Sequence, residues 1–279
     1  VPARGAGRLA VRIYGIDFTC APRKAKPITV ASGVLKRNAL EVLEIERLES
    51  FAAFEAFLAR PGPWIGGFDF PFSLPRELVR DLRWPAEWPE LVAHCARMSR
   101  LELRAALDAY RNSREPGKKY AHRATDLPAG SSSPMKLVNP PVALMFHEGA
   151  RRLAASDADL PGLLRRNSSR IALEAYPGLL ARKQLGLRAS YKSDTRSERT
   201  PARTLVRRSI LKALTAGRPL GITVVMKPVL KKHLLADGTG DLLDAVICAT
   251  QAAWAWTRRR SNYGLPADAP PGEGWILTA

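Results

Sequence analysis

Three apolar runs in this sequence each close on an acid. VRIYGIDFT (residues 11–19) carries Asp17, WIGGFDFPF (64–72) carries Asp69 and RIALEAYPG (170–178) carries Glu174, with an aromatic residue within two positions each time. Further along, GTGDLLDAVICATQAAWAWTRRR (238–260) opens an apolar stretch with Asp241 and Asp244. Two acids three residues apart on a helix share roughly one face. Ala245, Cys248 and Ala252 follow on that face, and their small size lets a helix approach a sheet closely. A helix packed across the strand ends would bring all five carboxylates to one place.

Carboxylates gathered in this way resist ionising together. A divalent cation removes the conflict, and a set of hard oxygen donors suits Mg²⁺ or Mn²⁺. Two such ions about 3.5–4 Å apart clamp the attacking and leaving oxygens of an in-line phosphoryl displacement. The chemistry these residues suggest is therefore metal-dependent hydrolysis of a phosphodiester. Each acid also has an ordinary reading. Asp17 would end a strand on loop amides, Asp69 would cap the turn before FPF, and Glu174 would pair with Arg170 or Arg182. Asp241 and Asp244 would favour the positive end of a helix dipole.

The elements that must position these acids are legible in outline. Residues 11–19, 27–35 and 39–48 read as three strands, and the short break at Arg37–Asn38 suits an antiparallel hairpin. Phe51, Phe54 and Leu58 recur at helical spacing within 49–60, and 64–69 reads as a buried strand. The opening is thus β-β-β-α-β. Residues 71–168 are proline-punctuated and read as a mostly helical insertion, with helix within 85–112, a long loop over 113–141 and helix again over 141–156. A strand at 170–176 and a helix at 177–186 follow. The segment 188–214 is strongly basic, and Arg199, Arg203 and Arg207 stand at i, i+4 and i+8, the spacing of a cationic stripe on one helix face. The apolar stretch at 238–260 reads as a helix packed on the sheet.

Composition narrows the classes. The 279 residues suit one large domain or two small ones. We read a flexible arm over residues 1–10 and a single domain over 11–279 with the insertion at about 71–168. The formal net charge of +18, from 44 Lys+Arg against 26 Asp+Glu, points to a polyanionic partner, with nucleic acid first. Lys192, Arg196, Arg199, Arg203 and Arg207 are the candidates for sequence-independent, salt-sensitive contacts to its phosphates. Cys20, Cys95 and Cys248 are widely spaced and odd in number, which fits neither a disulfide framework nor a cysteine-rich zinc site and suits a reducing cytoplasm. No apolar run reaches the roughly 18–20 residues of a membrane span, and no signal-peptide pattern is present. The four histidines lack zinc or H-E-x-x-H spacing. Among them His122, beside Lys118, Lys119, Arg123 and Asp126, is the one placed to orient water or phosphate.

The strand order, together with GIDFTCAP, GFDFPFSLP, LEAYPGLL, GDLLDAVICA and the closing EGWI, resembles the ribonuclease H-like superfamily. More narrowly it resembles the predicted RNase H-like nucleases labelled DUF429. The likeness runs from about residue 11 to 277. It implies a mixed five-stranded sheet with helices on both sides and a metal site drawn from Asp17, Asp69, Glu174, Asp241 and Asp244, in which Asp69 and Glu174 compete for one role. Cys20 stands where the resemblance leads one to expect Ser. Actin-like kinases share the core topology, but DFTC carries no phosphate-loop glycine and no second copy of the opening occurs. The alternative to a nuclease is a catalytically inactive nucleic-acid binder on the same fold.

Overall fold

Six strands form one mixed sheet in the computed structural model, which describes residues 11–279. The arm expected over 1–10 lies outside the described residues. β1 (Arg12–Asp17), β2 (Ile28–Lys36) and β3 (Ala39–Leu48) make the expected antiparallel meander, and Arg37 takes the positive φ of 56° that the tight β2–β3 turn requires. Ser50 then caps α1 (Phe51–Leu58) by accepting the Ala53 amide at 3.1 Å. This helix crosses over to β4 (Trp64–Asp69), which runs parallel to β1 in a register that sets Asp69 opposite Asp17. β5 (Arg170–Glu174) continues the sheet parallel to β4, with Glu174 opposite Phe68.

The sheet order is β5-β4-β1-β2-β3-β6, one strand more than the five expected. The addition, β6 (Thr223–Met226), pairs parallel to β3 after α7 (Pro201–Thr215). Four residues are too few to show a period of their own, so only the pairing with β3 identifies them as a strand.

Alternation along the strands divides the core between the two faces. Tyr14, Ile16, Phe68 and Ala172 pack on one face with Phe54, Phe57 and Trp64. The insertion covers this face with α2 (Arg76–Asp81), α3 (Trp88–Arg97), α4 (Arg100–Asn112) and α6 (Val142–Ala155), while the short α5 (Asp126–Ala129) packs Ala129 against Leu179 and Ile276. Trp88 ties it down by donating its indole N–H to the Phe72 carbonyl at 2.8 Å. Ile13, Ile65, Ile171 and Leu173 pack on the other face, beneath α8 (Pro228–Ala236) and α9 (Asp241–Thr257). There α9 runs directly over β1 and β4. A Cβ at Gly15 would lie 2.0 Å from the Ala245 carbonyl oxygen, and one at Gly67 would lie 2.5 Å from that of Cys248. The small residues of α9 and the glycines of the strands together permit this approach. Among the described residues no helix is long and apolar enough to cross a membrane.

Candidate metal centre

The strand ends and the first turn of α9 meet as the spacing of the acids implied. Asp17 closes β1, Asp69 closes β4 and Asp244 descends from α9. One carboxylate oxygen of each lies within 4.8 Å of the others. Asp244 is fully buried and Asp17 nearly so. Burial pushes the Asp17 carboxyl well above the usual range, and the neighbouring charges of Asp241 and Asp244 push it the same way. Burial likewise raises Asp69 to about 7; Lys192 opposes the shift, and Asp244 and Glu174 add to it. Burial raises Asp244 also, against the pull of Lys192 and of the hydrogen bonds it receives. Three hard oxygen donors that resist ionising side by side are the donor set a Mg²⁺ or Mn²⁺ ion would satisfy. The residues present fit such an ion.

The other two predicted ligands have been drawn elsewhere. Asp241 is one turn from Asp244, but its carboxylate accepts Lys26 Nζ at 2.9 and 3.1 Å. Lys26 is held by a tight turn closed by reciprocal backbone bonds with Arg23 and also reaches Asp194 at 3.0 Å. Glu174 leaves the sheet on the face opposite Asp69, since its register partner is Phe68. There it forms a bidentate pair with Arg123, both bonds 2.7 Å, and accepts the Phe72 amide at 3.0 Å. Strand parity separates Asp69 from Glu174: Asp69 lies with Asp17 and Asp244, and Glu174 pairs with Arg123 of the insertion. Its partner is neither Arg170, which pairs with Asp157, nor Arg182, which contacts the Tyr176 hydroxyl. Arg123 was the missed residue. It is buried, it also binds Asp126 at 2.8 Å, and it sits beside an exposed His122, so the HRATD stretch matters through its arginine. Glu273 of EGWI braces the same region by accepting the amides of Arg76 and Ala124.

Lys192 is the predicted phosphate contact that instead enters the acidic centre. Its ammonium bonds Asp244 Oδ2, while the Tyr191 hydroxyl donates to Asp244 Oδ1 at 2.5 Å. The strap 191–194 that carries both residues is fastened by the arginines expected to form a stripe. Arg207 donates to the Tyr191 carbonyl at 2.6 Å, Arg203 to that of Lys192, and Arg199 to those of Ser193 and Asp194 at 3.1 and 3.0 Å. The stripe is not one helix face, because α7 begins only at Pro201. Arg207 is buried and so is corrected from a nucleic-acid contact to a strap fastener. Arg196 is exposed. The strap lies against GTGD, where Gly240 has φ +81° and a Cβ would fall 2.7 Å from that of Lys192. Glycine there supplies both the left-handed backbone and the room for the lysine stem.

The centre lies at the floor of a cleft of about 930 Å³. Lys136, Asn139 and Met145 of the insertion line it, as do Tyr176, Arg182 and Arg188.

Fold and site define an α/β protein of RNase H-like topology, extended by one strand, with three carboxylates converging where α9 crosses the ends of β1 and β4. Over residues 15–270 the chain matches the family described as "Protein of unknown function (DUF429)", and it belongs to that family. No curated protein and no solved structure matches it.

Proposed function

We propose that the protein is a divalent-metal-dependent nuclease that hydrolyses phosphodiester bonds of a nucleic acid. The convergence of Asp17, Asp69 and Asp244 from three separate elements carries this reading. Those three residues would hold Mg²⁺ or Mn²⁺, which when bound activates water and stabilises the leaving oxygen. The chain's own residues do the rest. The Tyr191 hydroxyl fixes the rotamer of Asp244, and Lys26 holds the Asp241 side chain in place beside the centre. Lys136, Arg182 and Arg188 give the cleft walls the positive potential that draws in a phosphate backbone. A reducing cytoplasm suits three free, buried cysteines.

One observation favours the second reading, a catalytically inactive nucleic-acid binder. Lys192 and Lys26 already neutralise Asp244 and Asp241 from within the protein.

Thermal melts with Mn²⁺ and a cleavage panel of single-stranded, duplex and hybrid oligonucleotides separate the two. At about 100 times its Kd, an ion that binds only the folded state adds about 2.7 kcal/mol, worth roughly 5–10 °C in Tm for a chain of this size. We expect that shift, metal-dependent cleavage, and loss of both in D17N with the fold retained. A D17N variant that cleaves at the parental rate contradicts the assignment.

A further inference from the structure

Lys192 stands in an unusual position for a phosphate contact. Its side chain is 42% exposed while the carboxylate it grips is fully buried, so the stem runs along the cleft and the tip is in the acidic centre. Its backbone is fixed by Arg203 at its own carbonyl, by Arg207 and Arg199 on either side, and by the Ser193 amide donating to the Gly238 carbonyl at 3.1 Å. The four-carbon stem is flexible where the backbone is not. The ammonium therefore has somewhere to go without the strap moving, and the nearest open space is the cleft.

Resting on the nuclease reading, we propose that Lys192 is an exchange residue. Without metal its ammonium neutralises the centre. A divalent ion held by Asp244 would compete with this ammonium, because Lys192 already occupies Oδ2 of that carboxylate and Tyr191 occupies Oδ1. The displaced ammonium, still tethered at the cleft floor, takes a non-bridging phosphate oxygen of the nucleic-acid strand. Metal loading thereby creates the phosphate contact, and the phosphate in turn keeps the lysine off Asp244. Coupling of this kind is reciprocal: the strand must tighten the metal by the same factor as the metal tightens the strand.

The test is calorimetric titration of Mn²⁺ into the wild type, K192Q, K192R and K26Q, with and without a short phosphorothioate single-stranded DNA. Without DNA, K192Q should bind Mn²⁺ about tenfold more tightly than the wild type, within the range typical of coupled sites. K192R should bind no more tightly than the wild type. K26Q, which removes an equal charge from neighbouring Asp241, should change affinity by less than about a third of the K192Q factor. DNA should tighten Mn²⁺ about fivefold or more in the wild type, and K192Q should lose that coupling. Equal Mn²⁺ affinity in the wild type and K192Q overturns the exchange and leaves the nuclease reading intact. Absence of Mn²⁺ binding in all four proteins overturns both. Lys192→Met, which keeps the stem, replaces K192Q should melts in EDTA show that variant unfolded.

Discussion

Asp17 and Asp69 face each other in the register of β1 and β4 and leave the sheet on the side of α9, whereas Glu174 leaves on the other side. Opposite consequences follow for their substitution in metal-free protein. E174Q strips one of the two counter-charges from the buried Arg123 guanidinium, leaving Asp126, and should cost about 3 kcal/mol, a fall of roughly 10 °C in Tm. D69N removes a carboxyl whose ionisation is opposed by burial, so it should raise Tm in EDTA at neutral pH. The sign of the pH dependence follows from the raised Asp69 value. The folded state keeps its proton up to about 7 while the unfolded chain loses it near pH 4. At this site the folded state binds more protons over that interval, so the contribution of Asp69 to stability falls as pH rises. Denaturant melts in EDTA should show the decline, and D69N should lack its share of it; an identical pH profile in D69N would contradict the assignment. The acids themselves were legible because an apolar run that ends on a carboxylate is costly without a partner. Which acid would face which way was not, because that depends on register between strands more than a hundred residues apart. Arg123 was hidden for the same reason, lying 51 positions from the carboxylate it binds.

At the scale of elements, the basic segment illustrates how spacing is read correctly and purpose is not. Arg199, Arg203 and Arg207 do act as a series, but on successive carbonyls of the strap. An arginine satisfies a carbonyl as readily as a phosphate, and periodicity does not say which is near. Replacing Arg199 and Arg203 together by Ala should speed amide exchange across residues 191–194 about tenfold or more, as expected of a segment moved toward local opening. The cooperative melt should stay nearly in place. Unchanged protection of the strap would show that these arginines do not hold it. The meander, the crossover helix and α9 were legible because each has enough residues to display its period. β6 was not, with four residues on the sheet edge.

For the whole molecule, the formal charge of +18 is spread over a chain whose acidic centre opens on a cleft also lined by Lys136, Arg182 and Arg188. That arrangement suits a polyanion bridged to the floor by metal. Under the proposed function the salt dependence of binding should reside in the walls: Arg188→Ala should lower the slope of log K against log salt by about 1. Neutralising the engaged Arg203 should leave the slope nearly unchanged. The claim on which all of this depends is that Asp17, Asp69 and Asp244 form one metal centre. Anomalous diffraction from a crystal soaked in Mn²⁺ addresses it without knowledge of the substrate. The expected result is a manganese peak bounded by oxygens of these three residues, with none at Glu174. A map with no peak among them would contradict it, whereas a peak there with Lys192 still seated on Asp244 would contradict only the exchange.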